Sequence, residues 1–302
     1  MLDLAIIRGR ILDGTGNPWF ESDIGILDGR IVTVGNLKNV DSRRSIDASG
    51  LIVAPGFIDM HTHSDLALIG NPLAEPKVMQ GVTTEVIGNC GLSVAPTQIK
   101  TSDLLRSYVA PALSFPEVSW NWRSFGDYLK CIEKARTAVN VVPLVAHGTI
   151  RIAVMGFRAR EANTSELTEM KRLLAESMEA GAFGMSSGLL YPPGCYASIA
   201  ELVELCRVTG EYGGLYVTHI RNEGDYLVQS LEEAIQVARE ARVPLHISHH
   251  KAAGKANWGK ITETVSIIRK NREKGIDITC DHIQQEATSL PRFYPGGRWK
   301  VE

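Results

Sequence analysis

The stretch FIDMHTH, residues 57–63, is a short apolar run that ends in two histidines two positions apart. Six further runs along the chain have the same form, covering Thr83–Asn89, Val141–His147, Phe183–Ser187, Leu215–His219, Pro244–His249 and Ile276–Asp281. The starts of these seven runs are separated by 26, 58, 42, 32, 29 and 32 residues. Between them the pattern changes to a helical period, most clearly over Ser165–Ala180, Tyr226–Ala241 and Ile261–Lys274. Ser165–Ala180 follows Asn163, carries Glu166 three positions on and stops at Gly181, which are start and stop signals of a helix. Short apolar strands alternating with helices predict an α/β protein with a parallel sheet. Each run ends in a polar residue: His63, Asn89, His147, Ser187, His219, His249 and Asp281. In such proteins the C-terminal strand ends face the ligand site, and a (β/α)8 TIM-type barrel lets residues from many strands converge. Seven strands are readable. The turn-rich ending YPGGRWKVE shows no further helix, so the chain is expected to stop before an eighth strand.

The segment before Pro55 reads differently. LAIIRG, DIGILDGRIVTVG and RSIDASGLIVAP are β-branched runs broken by turn residues, with hairpin signals at Asp13-Gly14 and Asp28-Gly29. The expected organisation is a small β-sandwich domain over residues 1–54, without helices, and an incomplete barrel over 55–302. The composition is that of an ordinary globular protein: 302 residues, 44% hydrophobic, 22% charged. The formal net charge of −2 provides no general attraction for nucleic acid or an anionic membrane. No apolar run reaches the roughly 18 residues of a membrane span, and the N-terminus lacks the pattern of a signal peptide. A cytoplasmic location is expected. The five cysteines, at 90, 131, 195, 206 and 280, include no C-x-x-C pair.

On a strand, residues i and i+2 share a face, so His61 and His63 can meet one metal ion. His219 in VTHIRNE and His249 in PLHISHHK also stand at strand ends, which makes a metal site the better reading of these histidines. His250 competes with His249, but strand neighbours point to opposite faces. Cys90 follows TTEVIGN, and its thiolate could complete a three-residue ligand set with His219 and His249.

These residues resemble a known family. PGFIDMHTH at 55–63 is similar to the opening motif of the amidohydrolase superfamily. GVTTEVIGNCGLSVAP at 81–96 resembles the Gly-Asn-Cys-Gly segment of the N-acyl-D-amino-acid deacylases, or D-aminoacylases. HGTIRIAVMG at 147–156, GAFGMSSGLLYPPGCYA at 181–197, THIRNEGDYLVQSLEEAI at 218–235 and ISHHKAAGKANWGK at 247–260 extend the likeness. The resemblance implies a metal-dependent hydrolase barrel and a zinc-dependent hydrolase that cleaves N-acyl-D-amino acids to a carboxylate and a D-amino acid. It implies one tight zinc site at Cys90, His219 and His249, and a second, weaker one at His61 and His63. Lys251 matches a residue that contacts the substrate carboxylate. Ser187, Tyr191 and Arg221 are pocket candidates beside the loop Gly188–Ala197. The family's catalytic base is an Asp after the eighth strand. No residue here matches it, and Asp281 does not stand in that position. After ITCD the family reads Tyr-Pro-Tyr-like, whereas this chain has His282-Ile283-Gln284-Gln285. Two readings compete with the deacylase: an amidohydrolase acting on cyclic amides or dipeptides, and an inactive, truncated metal-binding fragment.

Overall fold

The computed structural model describes residues 1–113, 115 and 118–282. The chain divides into two compact units, Met1–Phe57 and Ile58–Glu302. In the first, five strands form one sheet: β1 (Leu4–Ile11), β2 (Phe20–Leu27), β3 (Arg30–Gly35), β4 (Ser45–Asp47) and β5 (Ile52–Val53). Its order is β3-β2-β1-β4, with β5 also on β1. The sheet is mixed, because β2 runs antiparallel to β1 while β4 and β5 run parallel to it. Asp28-Gly29 is the two-residue turn between β2 and β3, with φ of 50° and 70°. Both residues are left-handed, as the twist of a tight hairpin demands. Asp13-Gly14 instead lies inside a longer connection between β1 and β2. Where a sandwich was expected, the described residues of this unit form a single sheet. Its core is correspondingly small, built on Leu2, Ala5 and Leu37 with Ile7 packed against them.

The second unit carries the seven runs as seven strands: β6 (Phe57–Asp59), β7 (Val82–Ile87), β8 (Asn140–Ala146), β9 (Gly184–Gly188), β10 (Leu215–His219), β11 (Leu245–Ile247) and β12 (Ile278–Cys280). They stand in chain order across one sheet, and every pairing from β7 to β12 is parallel. Laid flat at about 4.8 Å per strand, the first and seventh strands would be roughly 29 Å apart. Yet His61, just after β6, has its Nδ1 3.2 Å from Asp281 Oδ2, just after β12. The sheet is therefore curled into seven strands of a (β/α) barrel. The expected absence of an eighth strand concerns residues 283–302, which lie outside the described residues.

Alternation along the strands divides the core. Val86, Leu144 and Val217 face inward with Met60, Val142 and Leu215 beside them. Ile87, Val145, Met185 and Tyr216 face outward and meet the helices in the main core. This two-sided burial is why the strands read as near-continuous apolar runs. Helix Thr164–Glu179 begins with the expected capping box, Asn163 accepting from Glu166 N–H and Glu166 from Asn163 N–H. Helices Leu227–Ala241 and Lys260–Glu273 lie within a residue of their predicted bounds at each end. His147 is not the end of a strand as expected. It opens the helix His147–Met155 directly after β8, eight of whose nine residues are buried.

Candidate metal centre

The C-terminal ends of the strands bring three imidazoles and a thiol together. His249 Nε2 lies 2.9 Å from His219 Nδ1 and 3.6 Å from Cys90 Sγ. His61 Nε2 lies 3.1 Å from the same sulfur. Two ligand groups result, Cys90–His219–His249 and His61–His63–Cys90, each with donor atoms within 4.8 Å of one another and with Cys90 common to both. All five metal candidates from the sequence thus meet in one place. His250 is excluded: its Nε2 is 3.0 Å from Thr264 Oγ1, on the other side of the strand end.

Backbone geometry at two of these residues is unusual. Cys90 has φ of 56° and His249 φ of 39°, both in the left-handed region that side chains avoid. Strain of this kind persists where the surroundings over-determine it, commonly at functional sites. The turn around Cys90 explains its sequence, Gly88-Asn89-Cys90-Gly91. A Cβ on Gly88 would stand 2.1 Å from Leu144 O, and one on Gly91 2.6 Å from Gly188 N. Asn89 anchors the turn by donating to Val86 O at 2.9 Å. Gly88→Ala is therefore expected to cost about 2–3 kcal/mol in urea denaturation, through φ strain and the clash with a backbone carbonyl. Gly213→Ala, with φ of 69° and open space around it, is expected to cost only about 1 kcal/mol.

Electrostatics favour neutral imidazoles. Burial, reinforced by the charge of His249, lowers His219 to about 3. Burial, with His61 and His249, lowers His63 to about 4. Their ring nitrogens are thus available as ligands at neutral pH. Burial pushes the Cys90 thiol up, as do Glu223 and Asp281, against the opposing pull of Lys251. Asp281 receives His249 N–H at 2.5 Å, His246 Nε2 at 3.0 Å and His61 Nδ1 at 3.2 Å. Its burial is outweighed by these bonds, which hold the carboxyl well below its usual range. It orients His61 rather than standing free.

Sequence reasoning missed Glu223. This carboxylate is 7% exposed, with Oε1 2.6 Å from His249 Nδ1 and Oε2 2.7 Å from Lys251 Nζ. Burial raises it, but the contact with His249 and the charges of His219, His249 and Lys251 prevail and bring it to about 2. The available signal was a carboxylate four positions after a strand-end histidine, His219-Ile220-Arg221-Asn222-Glu223.

Of the substrate candidates, Lys251 stands at the site, its Nζ 3.1 Å from His249 Nδ1. Tyr191 donates to Cys90 O and sets its ring edge-on to His219, centroids 5.5 Å apart. Ser187 is fully buried, its hydroxyl shared with Tyr216 and Thr218 at 2.9 and 2.8 Å. Arg221 binds Glu233 and the carbonyls of Cys195 and Ala197, so its guanidinium pins the Gly188–Ala197 loop instead of facing a ligand.

A family profile described as the amidohydrolase family matches residues 44–288. The chain belongs to this family. This amidohydrolase is 40% identical over 267 residues to a D-aminoacylase of Alcaligenes xylosoxydans xylosoxydans, an alignment covering 88% of this chain and 54% of that protein. It superposes on the crystal structure of a D-aminoacylase with a TM-score of 0.85 at 40% identity, covering 93% of this chain and 58% of that one. It superposes equally well, TM-score 0.85 at 37% identity, on N-acyl-D-glutamate deacylase from Bordetella bronchiseptica, with 93% and 58% covered. That deacylase was solved with zinc and a phosphonate that mimics the tetrahedral intermediate of its reaction. The amidohydrolase chain spans about half the length of the curated relatives it matches. No helix among its described residues is long and apolar enough to cross a membrane.

Proposed function

We propose that this chain forms the zinc-binding part of a hydrolase that cleaves N-acyl-D-amino acids to a carboxylate and a D-amino acid. The observation that carries the reading is the convergence of Cys90 Sγ, His219 Nδ1 and His249 Nε2, with the Lys251 ammonium beside them. The donor set fits zinc, which takes thiolate sulfur and neutral imidazole nitrogen. Ligand atoms about 2.0–2.3 Å from a shared tetrahedral ion lie roughly 3.3–3.6 Å apart. The 3.6 Å between Cys90 and His249 has that spacing, and the 2.9 Å between the histidines needs only a small ring shift. His219 Nε2 is buried and 3.9 Å from Glu223 Oε1, which leaves Nδ1 as the nitrogen turned toward Cys90 and His249.

Cys90, His219 and His249 would hold the tight zinc. His61 and His63 would provide a second, weaker position sharing Cys90. Zinc in such a site supplies Lewis acidity: it lowers the pKa of water it binds to about 7 and polarises an acyl carbonyl. Lys251 would bind the free α-carboxylate of the substrate by a charge-assisted hydrogen bond. Tyr191, packed against His219 and the Cys90 carbonyl, would shape the wall beside the acyl group. No described residue is assigned as general base, since the oxygens of Asp281 are held by its histidine neighbours.

The test is release of free amino acid from N-acetyl-D-methionine and N-acetyl-L-methionine by zinc-loaded protein. D-selective release that a chelator abolishes is the expected outcome. A folded, zinc-loaded chain that releases nothing from either isomer favours the competing reading of an inactive metal-binding fragment, and a folded chain that takes up no zinc overturns the proposal. Lys251→Met is expected to raise KM about 10- to 100-fold, since a hydrogen bond to a charged group is worth about 1.5–3 kcal/mol. An unchanged KM would remove Lys251 from the substrate site.

A further inference from the structure

One polar atom at the centre, His219 Nε2, is buried with no hydrogen-bond partner among the described residues. Glu223 Oε1 lies 3.9 Å from it. The same Oε1 is 2.6 Å from His249 Nδ1, and Oε2 is 2.7 Å from Lys251 Nζ. Each imidazole thus turns one nitrogen toward Cys90 and the other toward one carboxylate. The loop holds that carboxylate in place. Glu223 O accepts from Ala253 N–H at 2.7 Å, and Asn222 Oδ1 accepts from the N–H groups of Gly224 and Tyr226 at 2.9 and 3.0 Å.

We infer that Glu223 is the shared positioning carboxylate of the centre, fixing the tautomers of His219 and His249 for metal binding and anchoring the Lys251 ammonium next to them. The inference rests on the zinc reading above. A histidine that binds a metal through one nitrogen carries its proton on the other, and a carboxylate behind the ring sets which is which. With Nε2 of His249 and Nδ1 of His219 facing the thiol, the protons fall on Nδ1 and Nε2. These are the two atoms that face Glu223. The unpaired His219 Nε2 donor lies 3.9 Å from a carboxylate oxygen that can accept a second bond, so the ring shift that seats His219 on a metal can also close this contact. One carboxylate also offsets charge in two places: it raises the basicity of both imidazoles and compensates a buried ammonium. The metal site and the carboxylate-binding lysine are thereby mechanically linked.

The experiment is zinc affinity by competition with a chromophoric chelator, for wild type and Glu223→Gln in the full chain, with melting of the metal-free proteins as the fold control. Loss of a carboxylate behind a metal-bound histidine costs about 10- to 100-fold in metal affinity. That fold-change is expected for Glu223→Gln, with the metal-free chain still melting cooperatively. Should that variant not fold, Glu223→Asp keeps the charge but shortens the reach. Its cobalt-loaded form is then expected to show ligand-field bands displaced from those of wild type. Equal zinc affinity in wild type and Glu223→Gln, or identical cobalt spectra in wild type and Glu223→Asp, overturns the inference and leaves the zinc reading intact. A wild-type chain that takes up no zinc overturns the zinc reading itself.

Discussion

Cys90→Ala is expected to weaken zinc binding by about 10²–10³-fold and to abolish the near-ultraviolet thiolate-to-metal band of the cobalt-loaded chain. The magnitude follows from the donor count. Zinc bound by four protein ligands gains roughly 10–16 kcal/mol at neutral pH, or about 2.5–4 kcal/mol per ligand. Each 1.4 kcal/mol is tenfold in affinity. Cys90 is the largest single loss available because it belongs to both ligand groups, whereas each histidine belongs to one. Its removal therefore affects the tight and the weak position together. His63→Ala, by contrast, is expected to leave the tight site at wild-type affinity. The pair of variants separates a shared thiolate from two independent sites. A Cys90→Ala chain that keeps wild-type affinity would show that the sulfur is a buried small side chain and nothing more. The metal-free melting curve of Cys90→Ala provides the fold control, because alanine also relieves nothing of the φ of 56° at this position.

The barrel was legible because its strands are buried on both faces and end in polar residues. The apolar run at Phe57–Met60 followed by His61 and His63, or LYVTH over Leu215–His219, is readable without any partner in view. The centre was legible for the same reason: each ligand except Cys90 is a histidine at such an end. Helices were read unevenly. Ser124 and Asp127 form a capping box, and Ser198 caps Glu201 N–H, but both starts escaped notice beside the clearer one at Asn163. His147–Met155 could not be read as a helix by periodicity, because it is buried nearly all round and shows no polar stripe. What stayed hidden were pairings between distant residues. Asp281 meets His61 across 220 positions, and Ser187 finds its partners at Tyr216 and Thr218, so a strand-end serine is absorbed by the core. Arg221 read as a pocket residue for lack of knowledge that Glu233 and two loop carbonyls would take its guanidinium.

The hidden pairing with the greatest effect on stability joins Arg151 to Glu201, 50 residues apart and both buried. Arg151 Nη1 reaches both carboxylate oxygens at 2.6 Å, and His147 Nε2 donates to Oε1 at 2.8 Å. Arg151 Nη2 also donates to Arg160 O at 2.7 Å. Glu201→Gln is expected to destabilise the chain by about 3–5 kcal/mol, since it leaves a fully buried guanidinium without its counter-charge. Replacing both partners, as in Arg151→Met with Glu201→Leu, is expected to recover most of that loss, because no buried charge then remains. Packing alone would give the opposite order, with the double variant the worse. The acid limb of the stability curve provides a second readout. Burial raises the Glu201 carboxyl, but His147 and Arg151 outweigh it and bring it from an ordinary 4.5 to about 2. As pH falls below 4.5 the unfolded chain takes up this proton first, so the contribution is present above 4.5 and drains away toward pH 2. A shift of that size corresponds to about 3 kcal/mol. Urea denaturation of the metal-free proteins across this range is expected to show that loss in wild type and not in Glu201→Gln. Taking the difference between the two chains cancels Glu223 and Asp281, which are also depressed but common to both. Parallel pH profiles for the two proteins would mean that the Glu201 carboxyl takes up its proton at the same pH in the folded and the unfolded chain, and that its pairing with Arg151 and His147 does not depress it.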